Sequence, residues 1–218
     1  MKQFFHKYSH AWVFLYWPIY LLWFGWLEKT VTAASGYYVL QSRLDALIPF
    51  CEVFIVPYLL WFPFVGITVA WFFFHDRSEF YRMTIFLYSG MTIFLLVCTF
   101  FPNGLTLRPS YIPRDNIFVH LVRGLWAVDT PTNVLPSLHV YNSLGCCVAI
   151  WKNSTLRNKP WVRWGCVVLT FFIILSTVFL KQHSVVDVVT AMTLAFVFYF
   201  IVYAPAAVEN HSLVRNNS

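Results

Sequence analysis

The chain has 218 residues, of which 59% are hydrophobic, 21% are aromatic and only 11% are charged. A soluble domain has roughly 45–50% apolar and about 25% charged residues, and a globule of this size leaves too much surface in water to hide the excess; a soluble single domain is excluded, and so is disorder, which needs the opposite composition. The formal charge of +6 comes from Lys and Arg scattered between apolar runs, so these are topology-setting loop charges and nucleic acid is not an expected partner.

A membrane-spanning helix needs about 20 apolar residues, and six stretches are candidates: Ala11 to Leu27, Val53 to Phe74, Met83 to Phe101, Pro136 to Trp151, Trp161 to Leu180 and Val185 to Tyr203. The basic start, the first stretch and Val31-Thr32-Ala33 carry some marks of a cleaved signal peptide; Glu28, Lys29 and Pro18 argue against it. Between the first two stretches, Thr30 to Ile48 is too polar to span. Its Tyr38, Val39, Leu40, Leu44, Leu47 and Ile48 fall near helical spacing and predict a helix lying in the outer interface. The fourth stretch is short, but no charge interrupts Pro131 to Ile150, so residues on its N-terminal side can extend it. The five cysteines sit in or beside apolar runs without C-x-x-C spacing and read as buried free thiols.

Counting Lys and Arg gives the orientation. A cytoplasmic N-terminus places Lys2, Lys7, Arg77, Arg82, Lys152, Arg157, Lys159, Arg163 and Arg215 inside, against Lys29, Arg43, Arg108, Arg114, Arg123 and Lys181 outside. The predicted architecture is therefore all-α. It is an integral membrane protein of six transmembrane helices, both termini cytoplasmic, with short interfacial helices in the outer loops, and residues 1–218 form one domain.

Two regions break the apolar pattern. The long connector from Pro102 to Leu135 carries Arg108, Arg114, Asp115, Arg123 and Asp129, and it runs into Pro136-Ser137-Leu138-His139. The short connector before the last span reads Lys181-Gln182-His183-Ser184-Val185-Val186-Asp187. On the predicted topology both face the same, outer side. Asp187 lies in an apolar run, where an ionised carboxylate costs at least about 2.5–3.5 kcal/mol at mid-bilayer without a partner or water. His183, four residues earlier, shares its helical face. A carboxylate holding one imidazole nitrogen leaves the other as an oriented lone pair, the arrangement of a nucleophile or base; a structural pair that staples the helix end is the plainer alternative. Ser137 is placed to cap the next helix, and His139 two residues later can protonate a leaving oxygen. The Arg108 guanidinium matches a phosphate in shape and charge.

Taken together, Arg108-Pro109, Pro136-Ser137-Leu138-His139, and Ser176-Thr177 followed by His183 and Asp187 resemble the three signatures K-x6-R-P, P-S-G-H and S-R-x5-H-x3-D. These belong to the type 2 phosphatidic acid phosphatase and vanadium haloperoxidase superfamily. The details resemble its branch of small bacterial lipid phosphatases and inositol phosphorylceramide synthase-like enzymes. The resemblance implies a site built from residues 102–139 and 181–187. In it His183 is the nucleophile that forms a phosphohistidine, Asp187 orients it, and His139 is the acid, while Arg108 and Ser137 bind phosphate. It implies no metal and no cofactor. Two family cations are absent: the Lys expected seven positions before Arg108 is Phe101, and the Arg expected six before His183 is Thr177. Losing one such donor costs roughly a hundredfold to a thousandfold in rate. Lys181 is the first candidate replacement, followed by Arg123 and, more weakly, Arg114.

The function implied is a multi-pass cell-membrane lipid phosphate phosphohydrolase. Its partners are a lipid phosphate substrate and the bilayer, and its active site faces the extracytoplasmic side. Candidate substrates are phosphatidic acid, phosphatidylglycerol phosphate and undecaprenyl pyrophosphate. A lipid phosphotransferase, in which a lipid alcohol replaces water, is the alternative. The missing cations support a further one, a non-catalytic headgroup binder or transporter.

Overall fold

A computed structural model describes residues 8–204; Lys2, Lys7 and Arg215, used above for sidedness, lie outside the described residues. The protein is mostly helical (71%). A 3₁₀ turn, Ser9–Leu15, leads into α1 (Tyr16–Thr30). Then follow α2 (Ile55–His75), α3 (Arg77–Phe100), α4 (Ile117–Val128), α5 (Leu138–Lys152), α6 (Pro160–Phe179) and α7 (Val185–Val202).

Four of these are long and apolar enough to cross a membrane: α2 with its leading turn (24 residues from Glu52), α3 (24), α6 (20) and α7 (18). At 1.5 Å per residue they measure about 27–36 Å, which matches a hydrocarbon core of about 30 Å. α1 and α5 have 15 residues each, or about 22 Å, although the 3₁₀ segment Ser9–Leu15 runs directly into α1 and makes the first predicted stretch helical throughout. The fourth does not extend on its N-terminal side. Asn103, fully buried, accepts through Oδ1 from the backbone N–H groups of Val134 (2.9 Å) and Leu135 (3.0 Å), and its carbonyl accepts from Asn133 N (2.8 Å). Those bonds hold residues 131–137 as an irregular strap, and Ser137 caps α5 by accepting from Val140 N. A helix this short is sustained because protein surrounds it: α5 packs on α2, α3, α6 and α7.

The helix predicted over Thr30 to Ile48 is not formed. Gly36 takes a left-handed φ of +78° and turns the chain, and Tyr38–Val39 (β1) then pairs in parallel with Asn103–Gly104 (β2). Tyr, Val and a preceding glycine turn favour extended backbone over helix. The helical remnant is one 3₁₀ turn, Arg43–Ala46, capped by Ser42. The five cysteines are free thiols, as the sequence indicated.

Two polar clusters mark the two ends of the bundle. At one end Asp76 caps α3 by accepting from Glu79 N (3.0 Å) and accepts from Asn153 Nδ2 (2.9 Å) beyond α5. The connectors α1–α2, α3–α5 and α6–α7 gather at the other end. Between them α3 and α5 cross closely at Gly90, where an added Cβ would strike the ring of Tyr141. That ring is wholly buried, stacks on Phe86 (4.8 Å) and donates its hydroxyl to the Phe86 carbonyl (2.9 Å), so it has no room to withdraw. Gly90→Ala is expected to lower stability by about 1–3 kcal/mol through overpacking. Gly66→Ala, which meets nothing within 4 Å, leaves it unchanged or raised; thermal unfolding in detergent compares the two.

Candidate active site

The α6–α7 connector is shaped by its own backbone. The Thr177 carbonyl accepts from both Gln182 N and His183 N (3.0 Å each), and Lys181 adopts a left-handed φ of +58°. Ser184 then caps α7 and forms a capping box with Asp187, whose Oδ2 accepts from Ser184 N at 2.9 Å. The same Oδ2 lies 3.3 Å from His183 Nδ1. Asp187 and Ser184 are fully buried. With Nδ1 engaged, the lone pair of Nε2 is the reactive one.

His139 occupies the first turn of α5. Its ring lies against Tyr58 and Trp61 of α2, both at 4.4 Å between centroids, and 5.7 Å from the ring of His183 at an interplanar angle of 59°. His139 Nε2 is buried without a hydrogen-bond partner among the described residues. The two rings share a cavity of about 270 Å³ that Tyr20, Phe24, Trp61, Phe62, Asp129 and Asn133 help to line. A larger groove of about 810 Å³ along Trp12, Tyr16 and Tyr88 contains neither imidazole and is apolar.

Arg108 approaches the cavity from behind. It donates to the carbonyls of Trp126 (3.3 Å) and Asp129 (2.7 Å) and to Gln182 Oε1 (2.6 Å), with its guanidinium over the Trp126 ring (5.5 Å). Gln182 Nε2 donates in turn to Asp129 Oδ2 (2.7 Å), which also accepts from Tyr58 Oη (3.1 Å). Burial pushes the Asp129 carboxyl above its ordinary range, opposed by His183 and by the Tyr58, Arg108 and Gln182 contacts; burial also pulls the Arg108 guanidinium down.

His183, Asp187 and His139 are thus brought together, with Arg108 one residue away through Gln182. The other three phosphate-binding candidates are not brought to the cavity. Ser137 is wholly buried as the cap of α5. Arg123 stands on the exposed face of α4. Lys181 turns its ammonium to the carbonyls of Asp45 (2.8 Å) and Ile48 (2.5 Å), because its left-handed backbone aims the side chain at the α1–α2 connector. Arg114 pairs with Glu52 (3.0 Å), while Asp115, its sequence neighbour, pairs with His120 (3.0 Å).

Several site residues escaped the sequence reading. Asp45 accepts from Ser184 Oγ (2.6 Å) and Val185 N (2.8 Å) and so anchors the start of α7. Tyr58, Trp61, Gln182, Asp129 and Asn133 form the wall. For Gln182 and Asp129 the signal was present as polar residues beside His183 and beside the strap; for the aromatics, composition hid them.

Lys181→Met is expected to destabilise the fold by about 1.5–3 kcal/mol, the scale of hydrogen bonds from a charged donor. The KM of any substrate taken at the cavity is expected to change by less than about twofold, since the Lys181 ammonium does not reach the cavity wall. Thermal unfolding and steady-state kinetics on one preparation separate the two effects.

A family model described as the PAP2 superfamily matches residues 38–201, a span that contains every residue of the cavity wall from α2 onward. No curated protein matches the chain, and no solved structure does.

Proposed function

This chain belongs to the PAP2 superfamily, and from that premise we propose that it is a membrane lipid phosphate phosphohydrolase working through a phosphohistidine. The observation that carries the reading is the pair of imidazoles, 5.7 Å apart on one cavity, with one of them held by a buried carboxylate. The centroid separation is compatible with one phosphoryl group held between an attacking and a donating nitrogen. His183 Nε2 attacks phosphorus, the bond from phosphorus to the leaving oxygen breaks, and protonated His139 gives that oxygen its proton. His139, now neutral, takes a proton from the incoming water, which attacks phosphorus and expels His183. Asp187 keeps the nucleophile in one tautomer throughout.

Support for charge on the phosphoryl oxygens is indirect, since Arg108 meets the cavity wall only through Gln182. Trp61 Nε1 is a buried donor with no partner among the described residues, and it belongs to a wall residue. The reaction as drawn uses side chains alone. Six crossings, with α1 and α5 as the two short ones, would put the cavity on the extracytoplasmic side of a cell membrane. There a lipid's tail could stay in the bilayer while its phosphate enters.

Transfer to a lipid alcohol is a second reading. It is favoured by the apolar side chains of Tyr20, Phe24, Phe62 and Phe94 around the imidazoles, which disfavour water near the intermediate.

Incubating the protein with a ³²P-labelled lipid phosphate and quenching in alkali is expected to trap label on His183. His183→Ala abolishes it, and Asp187→Asn lowers turnover by roughly 10²–10⁴-fold. Inorganic phosphate as product supports hydrolysis, and a new phosphodiester supports transfer. A chain that turns over lipid phosphate with His183 replaced would overturn the mechanism.

A further inference from the structure

The cavity lacks the cations that a phosphate dianion would ask for. Among the described residues its wall carries no Lys or Arg, and Arg108 is spent on two carbonyls and Gln182. The wall presents a carboxylate instead. Asp129 Oδ2 takes the hydrogen bonds of Tyr58 and Gln182, and none from the described residues reaches Oδ1.

A second carboxylate stands one layer back. Glu28, near the end of α1, accepts through Oε1 from Asn133 Nδ2 and through Oε2 from Thr130 Oγ1, both at 2.7 Å. A carboxylate can only accept, so this contact fixes the Asn133 amide with its nitrogen toward Glu28. Asn133 Oδ1 is left buried with no donor, on a wall residue that is only 6% exposed. Buried acceptors are rarely left empty, and one on a cavity wall calls for an N–H or O–H from a ligand. The aromatic faces of Tyr20, Tyr58 and Trp61 add a surface that attracts cations.

We propose that this wall binds the protonated primary amine of an aminoalkyl phosphate ester, the headgroup of a zwitterionic lipid. The ammonium sits among Asn133 Oδ1, Asp129 and the aromatic rings. Its placement beside a reacting phosphorus rests on the phosphohistidine chemistry proposed above in its transfer form, in which His183 takes the aminoalkyl phosphoryl group and the lipid oxygen leaves; the amine site itself does not. A polyol headgroup would satisfy Asn133 and donate to Asp129, but it brings no positive charge to offset the two carboxylates. A quaternary ammonium would gain from the carboxylates and rings but has no N–H for Asn133. The primary ammonium meets all three.

The test is equilibrium binding to the full chain in detergent, followed by tryptophan fluorescence, for wild type and for the turnover-silent His183→Ala variant. The probes are glycerophosphoethanolamine, glycerophosphocholine and glycerophosphoglycerol. The ethanolamine ester is expected to bind about tenfold tighter than either other probe, the scale of one hydrogen bond to a charged group. Asp129→Asn and Glu28→Gln each reduce its advantage over the glycerol ester to within about threefold. Glu28→Gln keeps the shape and lies away from the imidazoles, so it serves if Asp129→Asn does not fold. Equal binding of the glycerol ester, or a choline ester as tight as the ethanolamine one, overturns the proposal. Amine preference without a phosphohistidine would leave this site standing and remove the transfer chemistry; a phosphohistidine without amine preference would do the reverse.

Discussion

A carboxylate with none of its surface exposed depends on its donors, and both of those that reach Asp187 meet Oδ2, while Oδ1 has no partner among the described residues. One of its oxygens serves the Ser184 backbone N–H and the His183 ring together. The bond that caps α7 is therefore the bond that orients the imidazole. This coupling explains why His183 sits at a helix start. The first turn of a helix offers unpaired N–H groups and a positive dipole end, both of which attract a carboxylate. Asp45 reinforces the same turn from outside, accepting from Ser184 Oγ and Val185 N. A helix start held by two carboxylates keeps His183 in one place without a long side chain reaching in from elsewhere.

That arrangement also accounts for the two positions where the chain departs from its family's signatures. Thr177, where the signature has arginine, is fully buried and contributes its carbonyl to the N–H groups of Gln182 and His183. The turn is shaped by backbone, and its hydroxyl returns to the Ile174 carbonyl. Phe101, where the signature has lysine, stacks on Tyr38 at 4.5 Å and helps lay β1 beside β2. Among the described residues, no Lys or Arg lines the cavity in their place. The charge balance of the cavity has moved instead, with Gln182 carrying Arg108's influence inward and Asp129 adding a negative group.

Much of this was legible in the sequence, for reasons that differ by element. Four spanning helices follow from apolar length, and His183 with Asp187 follows from four-residue spacing on one helical face. His139 was legible as a histidine beside a capping serine. The failure of the fourth stretch to extend on its N-terminal side was not, because hydropathy reports what lipid tolerates while the bonds of Asn103 hold that segment as a strap. The Thr30 to Ile48 segment was misjudged because helical spacing of six apolar residues is also met by chance in a strand-and-turn segment. Gly36 and the pairing partner at Asn103 decided the outcome, and that partner lies 65 residues away from Tyr38 in the chain. Lys181 was misjudged for a related reason. Distance along the chain placed it beside His183, while a left-handed backbone turned it to the opposite connector.

The strap over residues 131–137 ties these threads into one mechanical unit. Asn103 pins its backbone through Val134, Leu135 and Asn133. Glu28 pins its side chains through Asn133 and, at its edge, Thr130. Ser137 N donates to the Asp187 carbonyl at 3.3 Å, which links the strap to the helix that carries the nucleophile. His139 follows immediately, so the acid's position is set by the same bonds that hold the acceptors on the cavity wall. A long spanning helix in place of the strap would place His139 partway along a helix and remove Asn133 from the wall. The short α5 is thus a condition of the site: the segment that gave up helical hydrogen bonds supplies both the polar wall and the start of the helix that delivers His139.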